Sequence, residues 1–316
     1  MKKTISLLVG AVVAQGITAT AMANGPIDGV VYGKLNTAII MEDSKNGDDD
    51  TYLSNWSSRL GFKGKTEIED GIYVVYKLEY GIDPDEKAEK DTAQIFKQRN
   101  SYIGLKSKSY GTIIAGTHDT PLKKVQGNID MFDRLPNGDI KNVIVGQERL
   151  NDLVHYTSPS MSGVTLKAAT QLQETGDGEN GTSVSATYEE GAIFAAIGFD
   201  KDVNDSGAKY DASRLAFQYK GDGFTAGLIY SNSEKSEGNY DSNDGLILSG
   251  SYMIDAINLK AQYGAGDEKD EGTTLISFGA DYIFSKKTKL FGYVSGYEND
   301  ANEDSTTLGF GMEHNF

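Results

Sequence analysis

Apolar and polar residues alternate with a period of two along most of this chain. Between 72 and 82, one face carries only isoleucine, valine, leucine and tyrosine, and the other includes Lys77 and Glu79. The same alternation recurs in 163–173, 214–220, 257–264 and 307–316. Successive side chains of a β-strand point to opposite faces, whereas a helix would scatter these apolar residues around its axis. The pattern therefore predicts an all-β fold.

The predicted connections between these strands alternate in length. Seven short connections lie at 69–70, 107–110, 158–162, 189–191, 220–223, 255–256 and 285–287. Eight long connections lie at 42–54, 83–96, 117–148, 173–181, 200–209, 231–244, 264–272 and 298–305. Together they join sixteen strands. Short turns at one end and long loops at the other are typical of an antiparallel up-and-down transmembrane β-barrel.

A soluble β-sandwich is the main alternative, because its strands alternate as well. Sixteen meandering strands in one soluble domain would leave sheet edges exposed, whereas closure into a barrel removes them. Tyrosines near the strand ends suit the interfacial girdles of a membrane barrel, namely Tyr80, Tyr156, Tyr188, Tyr219, Tyr230, Tyr263 and Tyr282. We therefore favour the barrel. Segments 101–105 and 112–117 are apolar on both faces, which fits either a protein–protein interface or a strand covered by a packed loop.

The N-terminus has the three parts of an export signal. Lys2 and Lys3 give a positive start, 5–13 is apolar, and 21–23 (Ala-Met-Ala) is a small-residue cleavage pattern. We predict a signal peptide over 1–23 and a single mature barrel domain over 24–316.

Charge and cysteine content exclude several classes of function. The whole chain carries −16, and loss of Lys2 and Lys3 with the signal peptide leaves −18, which argues against nucleic acid as a partner. The chain has no cysteine, so disulfides and thiolate metal sites are impossible. His118, His155 and His314 are not at metal-ligand spacing, and catalytic or nucleotide-binding motifs are absent from the sequence. We expect no cofactor, no metal site and no enzymatic activity.

The connection 117–148 is the candidate for shaping an internal channel. A sixteen-stranded barrel leaves an aqueous lumen that its own side chains cannot fill. This connection has 32 residues, more than twice as many as any other predicted loop, and it contains Phe132, Ile140 and Val143. A long loop with so many apolar residues is better suited to folding into the lumen than to standing in water.

Several short motifs resemble the general diffusion porins of Gram-negative outer membranes. The motifs are Val31–Lys34, Ser58–Gly64, Arg99–Lys106, Tyr110–Thr112, His118–Lys123, Val154–Pro159, Gly279–Tyr282 and the terminal Phe316. The resemblance spans nearly the whole mature chain in the same order. It implies a sixteen-stranded outer-membrane barrel, a homotrimer in contact with lipid and lipopolysaccharide, and a third external loop (117–148) folded inward as a constriction.

The resemblance also implies that bases on the barrel wall face acids on the inward loop. The matching bases are Lys34, Arg59, Arg99 and Arg149, and the candidate acids are Asp133 and Asp139, with Asp119, Asp130 and Glu148 as further contributors. Alternation independently turns Lys34 and Arg59 inward, whereas Arg149 also fits a strand-end base that reaches water. Asn137 stands where the family carries a second acid, and Arg134 is unexpected beside it.

These features predict a passive channel for small hydrophilic solutes and ions. Acid-rich loops, among them 48–50 and 267–271, predict a modest preference for cations. A substrate-specific porin would need a track of aromatic residues in the lumen, and alternation places only Tyr32 and Tyr73 there. A non-conducting adhesin and an enzyme at the barrel rim are the remaining alternatives. The last strand, which ends at Phe316, resembles the signal read by the barrel-assembly machinery.

Overall fold

Sixteen antiparallel strands make up most of the structure, a computed structural model that describes residues 28–316 except 46, 48, 86–95, 173–179, 206 and 239–240. The predicted signal peptide lies outside the described residues. The strands are β1 (Gly29–Ser44), β2 (Asp50–Asn55 and Arg59–Glu69), β3 (Ile72–Ile82), β4 (Phe96–Gln98 and Ser101–Ser107), β5 (Gly111–Asp119), β6 (Arg149–Thr157), β7 (Val164–Gln171), β8 (Gly181–Glu190), β9 (Ile193–Asp205), β10 (Ala208–Lys220), β11 (Phe224–Lys235), β12 (Asn243–Ile254), β13 (Ile257–Gly266), β14 (Thr273–Ser285), β15 (Thr288–Glu298) and β16 (Asp304–Asn315). A helix, α1 (Pro121–Val125), and a 3-10 turn (Ile140–Asn142) lie between β5 and β6. In the described part of the chain, no helix is long and apolar enough to cross a membrane.

The sheet closes on itself. Each strand pairs with its neighbours in sequence, and β1 also pairs with β16, from Lys34 opposite Asn315 to Ser44 opposite Ser305. The two segments of β2 both pair with β1, on either side of a break at 56–58, so they form one barrel strand. Closure satisfies the backbone groups that an open edge would expose to lipid. The predicted sixteen-stranded barrel is thus confirmed.

The outer surface of the barrel is apolar. Large hydrophobic side chains point outward along the strands, with Ile103 61% and Phe278 57% exposed, and the predicted girdle tyrosines lie among them. Such a surface is stable in lipid but not in water. In the doubly apolar segments, Ile103 and Ile113 face outward, while Ile114 faces the lumen and is buried.

Several predicted long loops are shorter in the structure, because the strands continue beyond the apolar band. Residues 200–209 were expected to form a loop, yet β9 extends to Asp205 and β10 begins at Ala208. Within the loop predicted at 42–54, β1 continues to Ser44 and β2 begins at Asp50 for the same reason. Strand ends that stand in water can be polar on both faces, so the backbone ladder persists after the alternation has stopped.

The connection between β5 and β6 folds into the lumen, as predicted, and forms the hydrophobic core there. Its buried residues Val125, Ile129, Ile140, Val143 and Ile144 pack against the wall residues Ala196, Ala216, Ile229, Ile247 and Leu275. Nearer the tip, Phe132 and Leu135 pack with Ala38, Ile40, Trp56, Phe291 and Tyr293. The barrel is therefore filled on one side by loop-to-wall packing and left open on the other. We call residues 120–148 the inward loop.

Small residues on the wall make room for this loop, and enlarging one of them should destabilise it. A Cβ added at Gly245 would overlap Cγ2 of Ile144, which is fully buried, whereas a Cβ added at Gly296 meets nothing within 4 Å. We expect Gly245→Ala to cost about 1–3 kcal/mol through overpacking. The check is the temperature at which the folded band disappears in heat-modifiability gels, with Gly296→Ala as the matched control. An equal change in both variants would contradict the packing argument.

Candidate functional site

Hydrogen bonds from the wall fix the tip of the inward loop. The backbone N–H of Met131 donates to Oε1 of Gln262 over 2.9 Å, and Nε2 of Gln262 donates to the carbonyl of Gly138 over 2.8 Å. Further along the same wall, on β16, the hydroxyls of Ser305 and Thr307 accept hydrogen bonds from Nδ2 of Asn137 over 2.9 and 2.8 Å. Because both sides of the tip are bonded to strands, its side chains are held in place over the opening.

A cluster of buried charges fixes the returning limb of the loop. Glu268 Oε2 accepts a hydrogen bond from Val145 N over 3.1 Å, and Asp205 Oδ2 accepts one from Gly146 N over 2.5 Å. The guanidinium of Arg214, only 1% exposed, donates to the carbonyl of Val145 and lies in the field of both carboxylates. Burial raises the pKa of Glu268, and Arg214 opposes that shift. Lys269 pairs with Asp205 at 2.8 Å.

Three carboxylates gather on the loop tip. Asp130, Asp133 and Asp139 each place an oxygen within 4.8 Å of the others. The two oxygens of Asp139 accept hydrogen bonds from the backbone N–H groups of Lys141 (2.9 Å) and Arg134 (3.0 Å), which caps the 3-10 turn. Burial raises the pKa of Asp130 well above its usual range, and the charges of Asp139 and Asp133 add to the shift. The pKa of Asp139 is raised in the same way.

Most of the predicted wall bases are paired with acids on the wall. Lys34 lies 3.2 Å from Glu313, Arg99 lies 2.9 Å from Glu79, and Arg149 lies 3.2 Å from Asp119. Asp119 therefore sits at the end of β5 and neutralises bases, rather than facing them from the loop as the sequence had suggested. Arg59 points into the lumen and, among the described residues, forms no ion pair.

The loop acids and part of the basic wall meet in one cleft of about 300 Å³. Asp133, Arg134, Asp139, Lys141 and Glu148 line its loop side, and Gln98, Thr117 and Arg149 line its wall side. Arg149 is thus the one predicted wall base that shares this cleft with the loop acids. Lys34 lies outside this cleft but within electrostatic range of Asp133. Arg59 and Arg99 lie elsewhere on the wall.

Some charged groups near the cleft were not predicted from the sequence to be part of the site. Glu79 is 4% exposed and accepts contacts from Lys77 at 3.0 Å, Arg99 at 2.9 Å and the hydroxyl of Tyr32 at 2.8 Å. Lys77 and Glu79 are two apart on the inward face of one strand, a spacing that would have revealed the pair. His118 and His155, far apart in sequence, have ring centroids 5.1 Å apart because β5 and β6 are paired.

Comparison with known proteins identifies the family. The sequence profile of the family described as Gram-negative porin matches residues 9–302. This chain belongs to that family. An outer membrane porin of Bordetella pertussis is 26% identical to this porin over the full length of both chains. The protein is thus an outer-membrane porin, and its homologues are channels.

Solved structures share the fold. The anion-selective porin of Comamonas acidovorans superposes with a TM-score of 0.75 at 19% identity, covering 92% of this chain and 100% of that one. The trimer form of OmpT, an outer membrane protein of Vibrio cholerae, superposes with a TM-score of 0.66 at 17% identity, covering 92% and 100%. Both likenesses concern the barrel, since identity this low leaves the pore residues free to differ.

The raised pKa values on the loop tip predict that ion preference depends on pH. A carboxyl whose pKa is raised stays neutral at pH values where an ordinary aspartate is already charged, so Asp130 and Asp139 become anionic only as the pH rises further. We expect cation preference to grow with pH well above the usual aspartate range of about 4. Reversal potentials measured across a salt gradient at stepped pH test this. Asp130→Asn should remove the upper part of the transition, and an unchanged curve would contradict the assignment.

Proposed function

We propose that this porin is a passive, water-filled diffusion channel for small hydrophilic solutes and ions, with a modest preference for cations. The cleft shared by the loop carboxylates and Arg149 carries the proposal. Opposed charges held rigidly in a narrow opening orient hydrated dipolar solutes and disfavour apolar ones. The constriction residues that we propose are Lys34, Arg59, Arg99, Arg149, Asp119, Asp130, Asp133 and Asp139, in a constriction loop bounded by 117–148.

The balance of paired and unpaired charges supports the cation preference. Lys34, Arg99 and Arg149 each lie within 4 Å of a wall acid, which leaves Arg59 as the unpaired base of the four. Asp130 and Asp139 form no ion pair among the described residues and add negative charge as they ionise. Acids also surround the outer mouth, at Asp43, Asp50, Asp83, Asp267, Asp270, Glu271, Glu303 and Asp304. Their field attracts cations and weakens as salt shortens the Debye length.

The partners proposed for this barrel follow from its surface and its family. We propose a homotrimer, supported by the trimer form of the similar Vibrio cholerae protein and by the apolar outer faces of β4 and β5. The rest of the outer surface would contact outer-membrane lipid and lipopolysaccharide. The final strand, with Phe310, Met312 and Phe316 on its outer face, would be the segment read by the barrel-assembly machinery.

Single-channel recording of the refolded mature protein in a planar bilayer tests this function. We expect stable ohmic steps, and a reversal potential under a potassium chloride gradient that shows a preference for potassium. A preference for anions would still support the channel proposal, but it would overturn the inference from charge to selectivity. Absence of conductance from protein that is folded, as judged by heat-modifiable mobility, would overturn the channel proposal and favour an adhesin.

A further inference from the structure

A second lumenal cleft lies between the constriction and the short turns. It has a volume of about 330 Å³ and is formed by the inner faces of β3 to β7 together with α1. Its charged and hydrogen-bonding side chains include Lys106, Lys124, Lys167, His118, His155 and Thr157. The cleft is separate from the constriction cleft, since no residue lines both.

The charges around this cleft are predominantly positive. Lys124 is bound to Asp119, which also pairs with Arg149 at 3.2 Å. Among the described residues, Lys106 and Lys167 form no ion pair, although Glu189 lies within electrostatic range of Lys167. Lysines that line one cleft without matching acids are stable only where water solvates their charges or an anion neutralises them.

The two histidines provide an independent indication of a ligand. His155 is 4% exposed, lines the cleft, and has no hydrogen-bond partner on Nε2. His118 donates from Nδ1 to the carbonyl of Asp119 over 2.7 Å, so its Nε2 is left for another partner. A buried polar atom without a partner costs free energy, and the residue that carries this one lines a cleft large enough for a small ligand.

We propose that this cleft is a binding subsite for a small tetrahedral dianion. Lys106 and Lys167 would supply charge, Thr157 a hydroxyl, and His155, once protonated, an N–H on Nε2. The subsite goes beyond the diffusion function and rests on it, because the anion reaches the cleft through the open lumen. A passing anion would be held briefly on the wall below a constriction that itself favours cations.

Sulfate is the probe, because it remains a dianion while the histidines titrate. Single-channel current is recorded as sulfate replaces chloride at constant ionic strength. We expect a saturable decrease in conductance, and a half-saturating concentration that rises about tenfold in Lys106→Gln/Lys167→Gln. Lys63→Gln is the matched control, since Lys63 is another lumenal lysine outside the cleft, and it should leave the half-saturating concentration unchanged.

Proton linkage supplies a second readout. An anion beside an imidazole favours its protonated form, so sulfate should bind about fivefold tighter near pH 4.5, where more of the buried imidazole is protonated, than near pH 8. The charged and titratable groups facing the two rings are Asp119, Lys77, Lys124 and Lys167, with Tyr102 against His118. His155→Phe should weaken this dependence, and His118→Phe/His155→Phe should abolish it.

The outcomes separate the subsite from the channel itself. A conducting channel with a linear, unsaturable response to sulfate, or an equal shift in Lys63→Gln and the cleft variant, would overturn the subsite alone. A folded protein without conductance would overturn the channel proposal instead, and the cleft can then still be tested by sulfate-dependent shifts of the histidine NMR signals.

Discussion

Replacing Arg214 with methionine should release the inward loop and give a larger, noisier channel. Methionine fills a similar volume, but it leaves Glu268 and Asp205 buried beside an apolar side chain and takes the hydrogen bond away from the Val145 carbonyl. Removing one member of a buried charge cluster costs about 3–5 kcal/mol. The strands of the barrel keep their own pairing, so the cost falls on the docking of the loop. Single-channel conductance and open-channel noise measure it.

A second substitution tests whether the cause is the uncompensated charge. Glu268→Gln alone retains an oxygen for the Val145 N–H but removes one countercharge of Arg214, so it should loosen the loop less than Arg214→Met does, because Asp200 and Asp205 remain. In the double variant Arg214→Met/Glu268→Gln, one unpaired carboxylate is removed, so the open-channel noise should fall part of the way back to that of the unsubstituted protein. Quiet, unaltered channels in Arg214→Met would mean that the apolar contacts of the loop suffice to hold it.

Local patterning explains why the barrel could be predicted from sequence. The inward positions of Lys34 and Arg59 follow from alternation alone, because a strand fixes the face of each residue within a few positions. The burial of Phe132 and Val143 followed from composition, since apolar residues in a long loop need a surface to cover. These inferences use only residues that are close to one another in the sequence, so they can be made without knowledge of the fold.

Pairing across strands explains why the charge balance of the site could not be predicted from the sequence. Asp119 meets Arg149, and Lys34 meets Glu313, only when the register of the closed barrel is known. Asp119 was predicted to be a loop acid because the connection was placed from residue 117, whereas the strand continues to Asp119. Alternation in 214–220 turns Arg214 inward, but its docking role could not be predicted, since its partners lie on other strands and on the loop.

Glu79→Gln should shift the proposed cation preference toward anions. Glutamine keeps the shape and a hydrogen bond to Tyr32, but it leaves Lys77 and Arg99 without their shared carboxylate. A unit charge about 8 Å from an ion in water changes its energy by about 0.5 kcal/mol, with opposite sign for cations and anions. The permeability ratio of potassium to chloride should therefore fall about fivefold, as read from reversal potentials at low salt. Glu190→Gln is the same change outside the lumen, at the end of β8, where the carboxylate accepts a hydrogen bond from the hydroxyl of Tyr188, and it should have little effect.

Comparing Glu79→Gln with Asp133→Asn separates net charge from the transverse field. Both variants remove one negative charge, so both should lower the potassium-to-chloride ratio. Glu79 is on the basic wall, so its loss strengthens the positive side of the field, whereas loss of Asp133 weakens the negative side. Liposome-swelling assays compare the entry rate of a small zwitterion with that of a neutral sugar of equal size. This ratio of rates should fall in Asp133→Asn, and it should stay the same or rise in Glu79→Gln. Equal changes in both variants would mean that net charge governs passage and that the opposed rows of charge do not orient the solute.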